Sequence, residues 1–375
     1  MRILTVTNYY PPYFIGGYEI ACKETMDFLK SKGHEVIVLT SDYLHSHDDE
    51  EYVLRNMQLV NYNKTSRIQK KIAEYQNYKT LSNTIKVIKP DLVYFWSLRG
   101  IGINVIKAVE EQNIAKVFEI GDFWMYGYMQ PSIKQKIKSL IPFLGNKNIQ
   151  ISPAICVSEW LKEEMHEVYH SQDTYMFPNA TLIPHVTSRN NKHIKFIFSG
   201  RLDEEKGLDI AISALNEFAN KYPDSPFTFD IYGSGEKSYI ERCKALAQPI
   251  KSKVHFKGKV ASKKQIYTDA SILLMPTRMR EPFGLVIIEA MAYKCAVIAT
   301  NAYGPAEIIQ HKENGLLFDI ESHNDLFLNV EKLYFDRQLL NKIQENAYAH
   351  VSKNYSIVNV KSKVENLLQD IAGVA

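Results

Sequence analysis

Short apolar runs alternate with amphipathic stretches along most of this chain, and the alternation occurs twice. In the first series, residues 3–7, 36–40, 91–96, 115–120 and 154–157 read as strands. Residues 18–32, 64–89, 101–112 and 159–168 read as helices, with Gly33 as a C-cap, Pro90 as a stop and Ser158 as an N-cap. Strands joined through helices must run in the same direction, so this pattern predicts a parallel sheet covered on both faces. The pattern breaks over residues 175–193, where Pro178, Asn179, Pro184 and the polar run 187–193 read as a linker. A second series follows, with strands at 195–199, 227–232, 254–257, 272–275, 296–299 and 315–318. Its helices are at 208–221, 238–246, 263–269, 286–292 and 306–310, and helices at 324–333, 337–351 and 356–371 close the chain. The expected architecture is α/β, with two doubly wound domains facing a cleft. The domains are residues 1–182 and 193–353, and residues 354–375 form a helix packing back on the first.

Composition excludes more than it selects. A length of 375 residues suits two domains, and 45% apolar and 23% charged residues are ordinary for a globular chain. A net charge of +3, with no basic run interleaved with aromatics, gives no footprint for nucleic acid. Cys22, Cys156, Cys243 and Cys295 are scattered, with no metal spacing, as reduced thiols of a cytoplasmic protein are. The N-terminal residues read as a strand rather than a signal peptide, and no apolar run is long enough to span a bilayer. Abundant Lys, Ile, Asn and Tyr point to an AT-rich, bacterial genome.

Four segments carry chemistry, each just after a strand. In the first, Gly16 and Gly17 precede helix 18–32 and let backbone N–H groups approach a phosphate or sugar. The dinucleotide fingerprint is absent, so Asp42 reads as a cap. In the second, Gly200-Arg201 and Lys206-Gly207 place two cations around one turn, able to converge on a diphosphate, beside Asp203, Glu204 and Glu205. In the third, Gly233 and Gly235 leave room for a base or ribose. The fourth is Glu281-Pro282-Phe283-Gly284 followed by Glu289, with Gly304 in the next strand-end loop. Here a loop carboxylate precedes a helix whose first N–H groups, at Gly284, Leu285 and Val286, attract anions, and a second carboxylate follows about one and a half turns on.

With these segments in order, and with Val254–Gly258 and the stretch 313–318 beside them, the chain resembles the family-4 retaining glycosyltransferases of GT-B fold over nearly its whole length. The resemblance implies two Rossmann-like domains, an acceptor-binding one first and a nucleotide-sugar-binding one second. It implies a hexosyltransferase acting in bacterial surface polysaccharide or glycolipid synthesis. Glu281 would contact donor sugar hydroxyls and Glu289 the ribose. Arg201 and Lys206 would hold the diphosphate. Gly16, Gly17, Gly200, Gly233, Gly235, Phe283, Gly284 and Leu285 would complete the donor site, and Asp122 would orient acceptor or sugar. No cofactor and no divalent metal is implied, and Asp48, Asp49 and Glu50 read as a loop rather than metal ligands. Retention is attributed to same-face attack, the leaving phosphate taking the acceptor proton, so no protein nucleophile is required.

One position departs from that family. Where relatives carry His, often as His-Asp, this chain has Gly121-Asp122. The departure motivates one alternative, a catalytically impaired protein that binds nucleotide-sugar or glycan; a nucleotide-sugar epimerase on the same architecture is a separate one. Asp122 as a helix cap stays equally open. Tyr9, Tyr10, Tyr13, Phe14, Phe123, Trp124, Tyr126 and Tyr128 are available to stack on a saccharide or lipid-linked acceptor or to fill a core. Residues 61–89 carry seven basic residues against Glu74, and residues 131–150 carry Lys134, Lys136, Lys138 and Lys147 with no acid. These stretches suit peripheral contact with an anionic membrane, at roughly 1 kcal/mol per basic residue near the surface, or amphipathic helices flanking the acceptor.

Overall fold

A computed structural model describes residues 1–42, 50–60, 65–125, 150–168, 170–187, 191–260 and 262–374. The chain divides into two compact units, Met1–Phe177 with Lys361–Ala375, and Pro178–Val360. Each holds one parallel sheet flanked by helices, as the alternation in the sequence requires.

In the first unit the strands are β1 (Arg2–Val6), β2 (Glu35–Ser41), β3 (Val53–Met57), β4 (Leu92–Phe95), β5 (Ala115–Ile120), β6 (Ala154–Cys156) and β7 (Thr174–Met176), ordered β3-β2-β1-β4-β5-β6-β7. Every pair is parallel. The central strand β4 is buried at every position, which is why it reads as an unbroken apolar run. Helices α1 (Gly17–Ser31), α2 (Arg67–Ile88), α3 (Val105–Glu110) and α4 (Glu159–Glu167) link the strands. Strands β3 and β7 lie outside the sequence expectation. β3 contains Arg55 and Asn56 and so lacks a continuous apolar run. β7 is three residues long and falls in the stretch assigned to the linker.

In the second unit the strands are β8 (Ile194–Ser199), β9 (Phe227–Tyr232), β10 (Val254–Gly258), β11 (Ile272–Met275), β12 (Ala296–Thr300) and β13 (Leu316–Phe318), ordered β10-β9-β8-β11-β12-β13 and all parallel. The connecting helices are α5 (Leu208–Lys221), α6 (Lys237–Leu246), α7 (Lys263–Tyr267), α8 (Leu285–Ala292) and α9 (Tyr303–Ile308). Helices α10 (His323–Phe335) and α11 (Arg337–Asn354) follow, and α12 (Ile357–Ala372) ends the chain. In both units the strand order reverses once, between β1 and β4 and between β8 and β11. In open α/β sheets, the crevice outside the carboxyl ends of the strands at such a reversal is where ligands bind.

The last helix brings polar groups to the first unit. His34 Nε2 and Glu365 Oε1 lie 2.8 Å apart. Lys361 is buried, and burial pushes its ammonium pKa down against the field of Glu119. Glu119, at the end of β5, is buried too. Burial raises its carboxyl pKa, while Lys361 and the hydroxyl donated by Tyr94 oppose that rise. Removing one member of such an arrangement leaves the other's charge uncompensated. Lys361→Met is therefore expected to lower the unfolding free energy by about 3 kcal/mol. Lys361→Met/Glu119→Gln should be less destabilised than the lysine variant alone. Urea unfolding of the full chain checks both, and equal loss in the single and double variants would refute the coupling.

Candidate functional site

The second unit gathers its site from loops at the carboxyl ends of β8 and β11. Beyond β8, Gly200 N–H donates to Tyr232 O at 3.1 Å and Leu202 N–H to Ser234 O at 3.0 Å, so pairing with the β9 side continues past both strands. A Cβ on Gly233 would lie 1.8 Å from Gly200 O, and one on Gly235 1.9 Å from Leu202 O. Chain-to-chain approach alone thus accounts for these two glycines. Gly200 has no such crowding, its nearest neighbour being Phe198 Cε1 at 3.9 Å.

Next comes a single turn, Glu204–Lys206, capped by Asp203, whose Oδ1 accepts the Lys206 N–H at 3.0 Å. Gly207 leaves it with φ +71° and a Cβ position 1.9 Å from Pro276 O, a conformation and contact only glycine tolerates. The two loops are then stitched together. The Glu205 carbonyl accepts from Arg278 N at 2.7 Å, Met279 N at 3.2 Å and Thr277 Oγ1 at 3.2 Å. Arg278 grips Asp209 through two bonds of 2.8 Å, and its Nη1 also reaches Glu204 O at 2.8 Å. Tyr239 gives its hydroxyl to Asp209 at 2.7 Å. Burial works to raise the Asp209 pKa, but Arg278 and Tyr239 outweigh it and hold the carboxyl below its ordinary range.

On this frame Lys206 Nζ and Glu281 Oε2 form a direct ion pair, with side chains 19% and 13% exposed. Arg201, more exposed, pairs with Asp203 at 3.1 Å and Glu205 at 3.3 Å. After Glu281 the chain turns through Pro282 and Phe283 to Gly284, at φ +101°, which caps α8. Gly304 presses on this turn. Its N–H donates to Glu281 O at 3.1 Å, and a Cβ there would lie 2.4 Å from Phe283 Cα. Phe283 is buried with its ring 5.8 Å from that of Tyr355, so its backbone, not its ring, borders the turn. Leu285 opens α8, and in its first turn the Ile287 N–H donates to Gly284 O at 2.9 Å, while the N–H groups before it start the helix and so have no turn below them to bond. Glu289, further along α8, is held by Lys263 Nζ at 3.1 Å and by the Tyr267 hydroxyl at 3.1 Å, both from α7.

In the first unit Gly16 caps α1, its N–H donating to Glu19 Oε2 at 3.0 Å, and Gly17 is the first helical residue. Asp122 accepts from Trp124 N at 2.8 Å and from Arg99 Nη2 at 3.2 Å. Burial raises the Asp122 pKa despite both donors. The space beside Gly121 is filled. A Cβ there would sit 2.3 Å from Tyr18 Cε2, and the Tyr18 ring packs 5.2 Å from that of Trp96 while its hydroxyl donates to Glu119 O at 2.7 Å. Arg55 is buried and donates to the carbonyls of Tyr10 and Pro11 at 3.2 and 2.9 Å, fixing the loop that leads to Gly16.

Two family profiles divide the chain between them. Glycosyltransferase Family 4 matches residues 15–181 and Glycosyl transferases group 1 matches residues 179–350. The chain belongs to the group 1 and family 4 glycosyltransferases. An uncharacterized glycosyltransferase of Methanocaldococcus jannaschii is 26% identical, over 98% of this chain and 97% of that protein. The lipopolysaccharide core biosynthesis mannosyltransferase LpcC of Rhizobium leguminosarum is 26% identical over 50% of this chain and 53% of its own. In fold, the chain is similar to Anabaena HepE, solved in complex with UDP-glucose. That match has a TM-score of 0.76 and 18% identity, and covers 99% of this chain and all of that one. The fold is that of GT-B glycosyltransferases.

In this glycosyltransferase the residues singled out from sequence form two groups. Arg201, Lys206, Glu281, Gly284, Leu285 and Glu289 lie on the stitched loops and the α7–α8 pair of the second unit, and Gly16, Gly17 and Asp122 lie in the first. Sequence reasoning missed Arg278, Asp209, Lys263 and Tyr267, which hold the expected residues in place. Only Arg278 left a signal, as a third cation beside Glu281. Of the aromatics, Tyr10 and Trp124 are buried in the first unit and Phe123 packs 5.6 Å from Trp160. Tyr126, Tyr128, Asp48, Asp49 and the lysines at 134, 136, 138 and 147 lie outside the described residues. Glu50 pairs with Lys23 at 2.7 Å, and all four cysteines are buried.

Two outcomes are expected. Asp209, with its pKa depressed in the folded state, contributes stability that is present above its unfolded value of about 4 and lost as pH falls through the folded value. The melting-temperature gap between wild type and Arg278→Leu should therefore be widest at neutral pH and narrow in acid. A gap constant with pH would refute this. Gly121→His should cost about 2 kcal/mol by forcing Tyr18 aside, and Tyr18→Ala should restore part of that loss in the double variant. Urea unfolding checks it, and additive losses would count against the contact.

Proposed function

We propose that this glycosyltransferase moves a hexosyl group, with retained anomeric configuration and without a divalent metal, from a nucleotide-diphospho-sugar to a saccharide or lipid-linked acceptor. The product belongs to bacterial surface polysaccharide or glycolipid. The reading is carried by the Lys206–Glu281 pair at the start of α8, with Glu289 following on the same helix. A leaving diphosphate needs fixed positive charge, and a sugar ring needs acceptors for its hydroxyls. Lys206, Arg201 and the first N–H groups of α8 offer the first, and Glu281 the second. Glu289, steadied by Lys263 and Tyr267, offers a carboxylate to a ribose.

As the bond between the anomeric carbon and the phosphate oxygen lengthens, negative charge gathers on the diphosphate. Preorganised cations and N–H dipoles stabilise it there more than in the ground state. The acceptor hydroxyl attacks on the same face and passes its proton to the departing phosphate. Lys206 has three N–H donors and is able to serve the phosphate while keeping Glu281 in place. The relatives favour the same donor and acceptor classes. HepE is described with UDP-glucose, and LpcC as a lipopolysaccharide core mannosyltransferase. Nucleotide-sugars and lipid-linked acceptors meet at the cytoplasmic face of the membrane, and the reaction is assigned there, with the protein peripheral on an anionic surface.

Nucleoside diphosphate release, measured over a panel of UDP-, GDP-, ADP- and dTDP-sugars, tests the proposal. Lys206→Ala and Glu281→Ala should each lower kcat by about 10²–10³. Glu289→Ala should act mainly by raising the donor KM. Chelation of divalent metal should leave the rate unchanged, and NMR of the product should show the donor's anomeric configuration. Undiminished turnover in both Lys206→Ala and Glu281→Ala would overturn the assignment.

A further inference from the structure

We propose that the outward face of α2 is a docking surface for an anionic lipid bilayer. The inference names the partner surface for the membrane-borne acceptor proposed above and rests on that reading. The inward face of α2 is set by Ala73, Asn77, Leu81 and Ile85, buried at four-residue spacing. On the opposite side, where a surface helix ordinarily carries polar residues, stand Ile68, Ile72 and Tyr75, which are 73%, 51% and 56% exposed. Their spacing of four and three residues places them in one line.

The charge on that face has a single sign. Lys71, Lys79 and Lys86 are exposed, and Lys79 Nζ lies 4.8 Å from the centroid of the Tyr75 ring. Glu74 is the helix's one acid. It is turned away from the line, with Oε2 accepting from Asn104 at 2.9 Å and Cγ 2.5 Å from where a Gly102 Cβ would stand. Glu111, just past the end of α3, takes the Tyr78 hydroxyl.

Branched aliphatic side chains, a tyrosine and ammonium groups on one helical line suit the boundary between acyl chains and phosphate headgroups. The isoleucines leave water, the phenol sits at headgroup depth and the lysines meet phosphates. From residue 68 to residue 86 the line extends for about 27 Å, enough for the helix to lie flat on the surface.

Co-sedimentation of the full chain with vesicles tests this. Binding is expected to vesicles containing phosphatidylglycerol at low salt, to weaken at high salt, and to be absent with phosphatidylcholine alone. Ile68→Ser/Ile72→Ser and Lys79→Glu/Lys86→Glu should each weaken binding by about tenfold or more. All four positions are exposed, so melting temperature and diphosphate release with a soluble acceptor should stay at wild-type values. Tyr75→Trp should show blue-shifted emission, quenched by brominated lipid, when anionic vesicles are added. The proposal falls if the wild type stays in the supernatant at low salt, or if both double variants bind as it does. It falls equally if light scattering shows a dimer that Ile68→Ser/Ile72→Ser dissolves. Vesicle binding by a wild type that releases no diphosphate from any donor would sink the catalytic reading and leave this surface standing.

Discussion

The Glu205 carbonyl is the point on which the second unit's site depends. One oxygen accepts from two backbone N–H groups and one hydroxyl of the loop after β11, across more than seventy residues of sequence. The arrangement works because position 207 is glycine: a Cβ there would lie 1.9 Å from Pro276 O. Arg278 and Asp209 then close the frame with a bidentate pair. Lys206 and Glu281 inherit their positions from this frame, so their geometry is set by backbone contacts rather than by their own flexible side chains. A site built this way is rigid where charge must be aimed.

Much of the fold was legible because parallel strands covered on both faces are written as apolar runs. β4, β8, β11 and β12 are of this kind. β3 and β7 were not, since an outer strand has less to bury and β3 includes Arg55, whose guanidinium turns inward to carbonyl groups. The site was legible in part for a related reason. Lys206, Gly207, Glu281, Gly284 and Glu289 each answer a local demand of turn or helix start. The residues that position them answer a demand made by the other end of the chain. Asp209 looks like any first-turn acid until Arg278 is placed beside it, and Tyr267 looks like a core residue until Glu289 is. Gly121 stood out in the sequence, but its cause, the Tyr18 ring, stands about a hundred residues earlier and could be found only in space.

Some glycines changed meaning. Gly233 and Gly235 read from sequence as room for a ligand, yet their missing side chains make way for the backbone of Gly200 and Leu202. That does not remove them from the edge where ligands bind. It shows that the first thing they permit is the continued pairing of β8 with β9, which carries Arg201 to the end of the sheet.

The resting charge of the Lys206–Glu281 pair has a consequence for selectivity. Both cations of the proposed phosphate site already have carboxylate partners, Lys206 in Glu281 and Arg201 in Asp203 and Glu205. Two cations thus face three carboxylates, so an anion entering the proposed phosphate site would compete with partners already in place. A donor of the proposed kind brings hydroxyls for Glu281 together with phosphates for Lys206, and satisfies both halves of the pair at once. On the proposed reading, the pair would favour a molecule that carries sugar and diphosphate in one piece over one that carries either alone.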